Sequence, residues 1–155
     1  MRFTLDSNIL VYGVDTETPE KHRIARDLIL RAAHADAILT AQALAEFLAV
    51  IGRKFPGKLD AAREYAEHWA RAFPIIPTTW EYVAAGAAFA GRHKLQLWDS
   101  IIWQAARMAG ASLLLSEDMQ DGLTLEGMSV LNPLQASNGE RLAALLNEGS
   151  GLPQT

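Results

Sequence analysis

Arg2-Phe3-Thr4-Leu5-Asp6 opens the chain with a short apolar run that stops at an acid. Four such residues suit a strand buried on both faces, with the carboxylate at its C-terminal end. The same pattern returns late in the chain, where Ser112-Leu113-Leu114-Leu115 is followed by Ser116-Glu117-Asp118. Between the two lie Ala37-Ile38-Leu39, which reads as a second strand, and Pro74-Ile75-Ile76-Pro77, a short third one; Val130-Leu131 reads as the last.

Helical patterns fill the intervals. Thr18-Pro19-Glu20 has the form of a helix start, with threonine as N-cap, proline in the first turn and an acid near the positive end of the dipole. Ile24, Ala25, Leu28 and Ala32 give that helix one apolar face. Thr40 caps a second helix with a stripe of Leu44, Phe47, Leu48 and Ile51, ended by Phe55-Pro56-Gly57. A third runs from about Leu59 to Phe73, and Thr78-x-x-Glu81 reads as a capping box opening an alanine-rich helix that stops near Gly91. Trp98-Asp99-Ser100 leads into a helix ended by Gly110, which places Asp99 in its first turn. Strands alternating with helices predict an α/β fold of three layers, with a short central parallel sheet covered on both faces.

At 155 residues, half of them apolar, the chain suits one domain of about 135 residues. Residues 136–155 read as a short amphipathic helix, Glu140 to Leu146, and then a loose Gly-, Ser- and Pro-rich tail. The absence of cysteine excludes a disulfide framework, a thiolate zinc site and a cysteine nucleophile. The N-terminus reaches Asp6 too soon to hold a signal-peptide core, so a cytoplasmic location is expected. The most apolar stretch, residues 82–91, is about half the length of a membrane span, and none is expected. A net charge of −4 argues against capture of nucleic acid by bulk electrostatics, although Arg53-Lys54 with Lys58 and Arg92-His93-Lys94 form local basic clusters.

In an open parallel sheet, ligands bind beyond the carboxyl ends of the strands. Asp6 and Asp118 fall at such ends, while Asp99 and Glu46, on neighbouring helices, can lean over the same edge. Four carboxylates in one cleft repel one another unless divalent cations neutralise them, and hard oxygen donors suit Mg²⁺ or Mn²⁺. Such a cation acidifies water and screens charge on a phosphodiester, which points to phosphodiester hydrolysis. Asp6, Asp99 and Asp118 would be ligands, direct or through water, and Glu46 either a ligand or the base that orients the attacking water. Singly, each residue has a plainer role. Asp99 fits a helix-capping acid, Asp118 a turn former and Glu46 a solvated residue opposite the apolar stripe, whereas Asp6 ends a buried strand and needs a partner.

In this order and spacing, Leu5-Asp6-Ser7-Asn8-Ile9-Leu10, Ala45-Glu46-Phe47, Trp98-Asp99-Ser100-Ile101-Ile102 with Ala105-Ala106, and Leu114-Leu115-Ser116-Glu117-Asp118-Met119-Gln120 resemble a PIN domain. More narrowly, they resemble the VapC-like ribonuclease toxins of toxin-antitoxin systems. The resemblance covers residues 2 to about 133. It implies an endoribonuclease with a Mg²⁺ or Mn²⁺ site made by Asp6, Glu46, Asp99 and Asp118, a homodimer, and a cognate antitoxin that blocks the site. Ser100 stands where the family more often has alanine. The fourth region offers Glu117, Asp118 and Asp121; Asp118 is favoured, with Ser116 helping to hold a water at the cation and Asp121 as the substitute.

Rival chemistries lack their motifs. Asn8 stands where a haloacid-dehalogenase pattern needs its second aspartate, and there is no nucleophile elbow, no P-loop and no His-Glu-x-x-His. The histidines at 22, 34, 68 and 93 show no ligand spacing. The reading from another class is a catalytically silent module that keeps the fold and sequesters RNA or a protein partner.

Overall fold

A computed structural model describes residues 1–148. The opening apolar run forms β1 (Phe3–Leu5), wholly buried, and the chain turns at once into the short helix α1 (Ser7–Tyr12). Asp6 is the hinge between them: its backbone is extended, and its side chain accepts the Ser7 N–H as the N-cap of α1. α1 is absent from the sequence reading, because a six-residue helix directly after a strand leaves no room for a full apolar period.

α2 (Pro19–Ala32) starts where Thr18-Pro19 predicts, although the Thr18 side chain makes no cap bond, and buries Ala25, Leu28, Ile29 and Ala32. β2 (Ala37–Thr40) leads into α3 (Ala41–Lys54), with the Thr40 hydroxyl accepting the Ala43 N–H at 3.1 Å. A 3-10 turn at Pro56–Lys58 precedes α4 (Leu59–Ala72), and β3 is only Ile75–Ile76. α5 (Trp80–His93) begins one residue later than the capping-box reading, since Thr79 rather than Thr78 accepts the Tyr82 N–H. α5 reaches past Gly91 to end at Lys94 in the left-handed conformation.

α6 (Leu97–Met108) follows and ends before Gly110, whose φ of +94° needs glycine. Then come β4 (Leu113–Leu115), β5 (Thr124–Leu125) and β6 (Met128–Leu131). α7 (Gly139–Asn147) covers the helix expected at 140–146 and buries Leu145 and Leu146. The loose end expected after it, residues 149–155, lies outside the described residues.

The sheet order is β3-β2-β1-β4-β6-β5, parallel except for the β5–β6 hairpin. Leu5 pairs with Leu115, and Phe3 with both Ala37 and Leu113. The chain steps from β1 outward through β2 to β3, then returns to β4 on the other side of β1. Right-handed crossovers between parallel strands of one sheet call for α1 to α4 on one face and α5 with α6 on the other. This is the α/β three-layer architecture expected, with the antiparallel edge hairpin added. Phe3, Leu5, Phe47, Phe89, Ile102 and Trp103 are fully buried between the layers, each contributing about 1.5–3 kcal/mol from burial. No helix among the described residues is long and apolar enough to cross a membrane.

Candidate active site

The reversal of strand order between β1 and β4 opens a crevice at their carboxyl ends, and the acids gather there. Asp6 follows β1 directly and is buried. Asp99 sits in the first turn of α6, and Glu46 projects from the second turn of α3. One carboxylate oxygen from each of Asp6, Glu46 and Asp99 lies within 4.8 Å of the others. Residues 40 and 53 positions apart in sequence are thus brought to one point by strand pairing and helix docking.

Glu46 corrects the plainer expectation. Counting along α3 places it opposite the apolar stripe, hence in solvent, yet it is half-buried. α3 packs against both α1 and α6, so the face away from the sheet stripe is itself partly covered.

Electrostatics record the crowding. Burial pushes the Asp6 carboxyl up to about 6; hydrogen bonds from the Ser116 hydroxyl and the Ser7 N–H oppose this, and the charges of Asp99 and Asp118 add to it. Burial likewise raises Glu46, with a further push from Asp6 and a counter-pull from hydrogen bonding to Ser7 and Gln42. Asp99 is raised by burial and by the charges of Glu46 and Asp118. Acids that raise one another's pKa in a half-buried crevice have the charge and the oxygen donors that a hard divalent cation needs, and the residues fit one.

The turn after β4 separates its three acids. Glu117 accepts from the Tyr12 hydroxyl at 2.7 Å and pairs with Lys21 at 2.8 Å, so it faces away from the crevice. Asp121 accepts from the Asn132 N–H and from the Asn138 amide, where it ties the turn to the segment before α7. Asp118 is exposed, outside the three-acid cluster, and near enough for its charge to act on Asp6 and Asp99.

The Ser116 hydroxyl donates to Asp6 Oδ2 at 2.8 Å and accepts from the Asn8 amide at 3.2 Å. Asn8 Oδ1 in turn accepts the Glu117 N–H. This brace between β1 and β4, together with Tyr12 and Lys21, escaped the sequence reading. Only the adjacency of Asn8 and Ser116 to the two acids signalled it.

A family model described as the PIN domain matches residues 3–120, and no curated protein matches the sequence. Among solved structures, the chain is similar to a toxin-antitoxin complex from Klebsiella pneumoniae, at 21% identity over 84% of this chain and 96% of that one, with a TM-score of 0.59. It is similar to VapC20 of Mycobacterium tuberculosis, a sarcin-ricin loop cleaving toxin, at 14% identity, 72% and 86% coverage and a TM-score of 0.62. It is also similar to VapBC2 from Rickettsia felis, bound to a promoter DNA fragment, at 15% identity, 85% and 98% coverage and a TM-score of 0.63. At these identities the likeness is one of fold. With the family match spanning both strands of the crevice and all four of the acids, the chain belongs to the PIN domain family.

Proposed function

We propose that this protein is a divalent-cation-dependent endoribonuclease, the toxin of a toxin-antitoxin pair, and that Asp6, Glu46, Asp99 and Asp118 form its site. The observation that carries this reading is the convergence of Asp6, Glu46 and Asp99 within 4.8 Å at the carboxyl edge of the sheet. Asp118 joins them as the fourth acid because Glu117 and Asp121 are engaged elsewhere. Mg²⁺ or Mn²⁺ suits the all-oxygen donor set. When bound, the cation supplies Lewis-acid catalysis and offsets charge building on the phosphodiester.

The chain's own residues do the rest. Asp6, fixed by Ser116 and Ser7, and Asp99, in the first turn of α6, would hold the cation, and Asp118 would add negative charge beside them. Glu46, whose pKa is raised by burial, is either a further ligand or the base that takes the proton from the attacking water. The RNA substrate and the homodimer come from the family resemblance alone; the cognate antitoxin comes from it too and is supported by the toxin-antitoxin complexes among the similar structures. A cytoplasmic location completes the reading.

The test is RNA cleavage in Mn²⁺ or Mg²⁺ by the wild type and by Asp99→Asn, with thermal stability as the folding control. A loss of at least about 100-fold is expected, the scale for removing one preorganised electrostatic element. Equal activity in the two proteins would reject the carboxylate mechanism and favour the silent binding module.

A further inference from the structure

Beside the acids, the crevice continues into a groove of about 550 Å³ lined by Glu46, Asp99, Gln42, Gln96, Arg53 and Trp98. Trp98 stands on α6 immediately before Asp99, with 56% of its surface exposed. Trp69 and Trp103 pair with other rings, whereas Trp98 has no ring or cation partner among the described residues. Its indole forms part of the groove wall, with a face open to a ligand.

Arg53 is the second unspent group. Its neighbour Lys54 takes both local acids, Asp15 at 2.7 Å and Glu17 at 3.2 Å. Arg53 therefore enters no ion pair or side-chain hydrogen bond among the described residues, and it contributes a cation to the same groove wall as two carboxylates.

We infer that Trp98 and Arg53 form a nucleotide subsite beside the acids, in which one base of single-stranded RNA stacks on the Trp98 indole and Arg53 meets a neighbouring phosphate. The inference rests on the nuclease reading for its substrate class. A planar apolar face, a free guanidinium and two side-chain amides, Gln42 and Gln96, match the parts of a nucleotide: base face, phosphate and base edge. A paired base inside an A-form duplex offers no free face, so the substrate is unpaired at this position. With a net charge of −4, the protein gains little from long-range attraction, and local stacking plus one cation must supply the hold.

The test uses a fluorescently labelled hexauridylate, mixed rapidly and read before cleavage, and wild type, Trp98→Ala, Trp98→Tyr and Arg53→Ala proteins in Mg²⁺. Trp98→Ala should weaken binding roughly 5- to 100-fold, the worth of one base–aromatic stack, while Trp98→Tyr keeps most of the affinity. Arg53→Ala should weaken binding and reduce the salt slope by about 0.7. On cleavable RNA, Trp98→Ala should raise KM more than it lowers kcat. Equal affinity of wild type and Trp98→Ala, or no binding by the wild type, overturns the subsite. So does a Trp98→Ala protein that sediments as a smaller species than the wild type, which would assign the indole to an interface between copies. Trp98-dependent binding by a protein that cleaves no RNA would reject the nuclease reading and leave the subsite standing.

Discussion

Ser116 Oγ donates to Asp6 Oδ2 at 2.8 Å, across 110 residues of chain, and the acid and the hydroxyl that steadies it end adjacent parallel strands. This is the hydrogen bond that most lowers the Asp6 pKa against burial. Ser116→Ala should therefore push the Asp6 carboxyl above its value of about 6 and move the acid limb of the cleavage pH profile to higher pH. Loss of such a supporting contact also costs about 10–100-fold in metal affinity or activity. A pH–rate profile in Mn²⁺ and a metal titration check both; an unmoved acid limb would contradict the first.

Asp6→Asn separates stability from activity. A folded-state pKa raised from 3.8 to about 6 means that Asp6 favours folding when protonated. That contribution is full below about pH 3.8 and lost as pH rises through 6. Two units correspond to on the order of 2–3 kcal/mol. Without added metal, Asp6→Asn should unfold at a higher temperature than the wild type at pH 7–8, with the gap closing as pH falls below 6. Added Mg²⁺ should narrow it by stabilising the wild type alone. Thermal unfolding across pH, with and without Mg²⁺, reads all of this.

Asp118→Asn and Asp121→Ala should part company. Asp118 is exposed with no side-chain hydrogen bond among the described residues, so its neutralisation should lower metal affinity and cleavage while leaving the melting temperature nearly unchanged. Asp121 holds the Asn132 N–H at 2.8 Å and the Asn138 amide at 3.0 Å. Asp121→Ala should cost about 1–3 kcal/mol of stability and leave metal affinity intact. Paired denaturation and metal titrations of the two variants decide the fourth acid.

Gly86→Ala tests the close approach that sets α6. A Cβ at position 86 would lie 2.8 Å from Ile101 Cγ1 and 2.9 Å from Ile101 Cα. The backbone contact cannot yield by a rotamer change, so α5 must move from α6. A destabilisation of about 1–3 kcal/mol is expected, despite the better helix propensity of alanine. Because Ile101 lies two residues from Asp99, activity should fall beyond what the unfolded fraction explains; denaturant titration with activity measured well below the midpoint checks this.

The elements legible in the sequence are those whose signals are local. β1 and β4 show themselves as apolar runs closed by acids, and the Thr40 cap and the Gly110 stop bound their helices as read. Of the β5–β6 hairpin, Val130-Leu131 reads as a strand, but β5 escapes because it is two residues long and the turn, Glu126-Gly127, puts a glutamate at φ +48° where Asn or Gly would have advertised it. Adjacent threonines shift a cap by one residue, and only the folded chain selects Thr79. Within the site, Asp6 and Asp99 are visible from position alone. Glu46 is not, because periodicity reports which face meets the sheet and is silent about a second neighbour on the other side. Choosing among Glu117, Asp118 and Asp121 needs Tyr12, Lys21, Asn132 and Asn138, which approach only through tertiary structure.

The place of β4 beside β1 also bears on synthesis. A ribosome making this protein from its N-terminus has delivered Asp6, Glu46 and Asp99 well before Leu113–Leu115 emerges. Until then one edge of β1 is open, Asp6 lacks its Ser116 brace, and the turn bearing Asp118 does not exist. Chains terminated before β4 thus carry Asp6, Glu46 and Asp99 but lack both the Ser116 brace and the turn with Asp118.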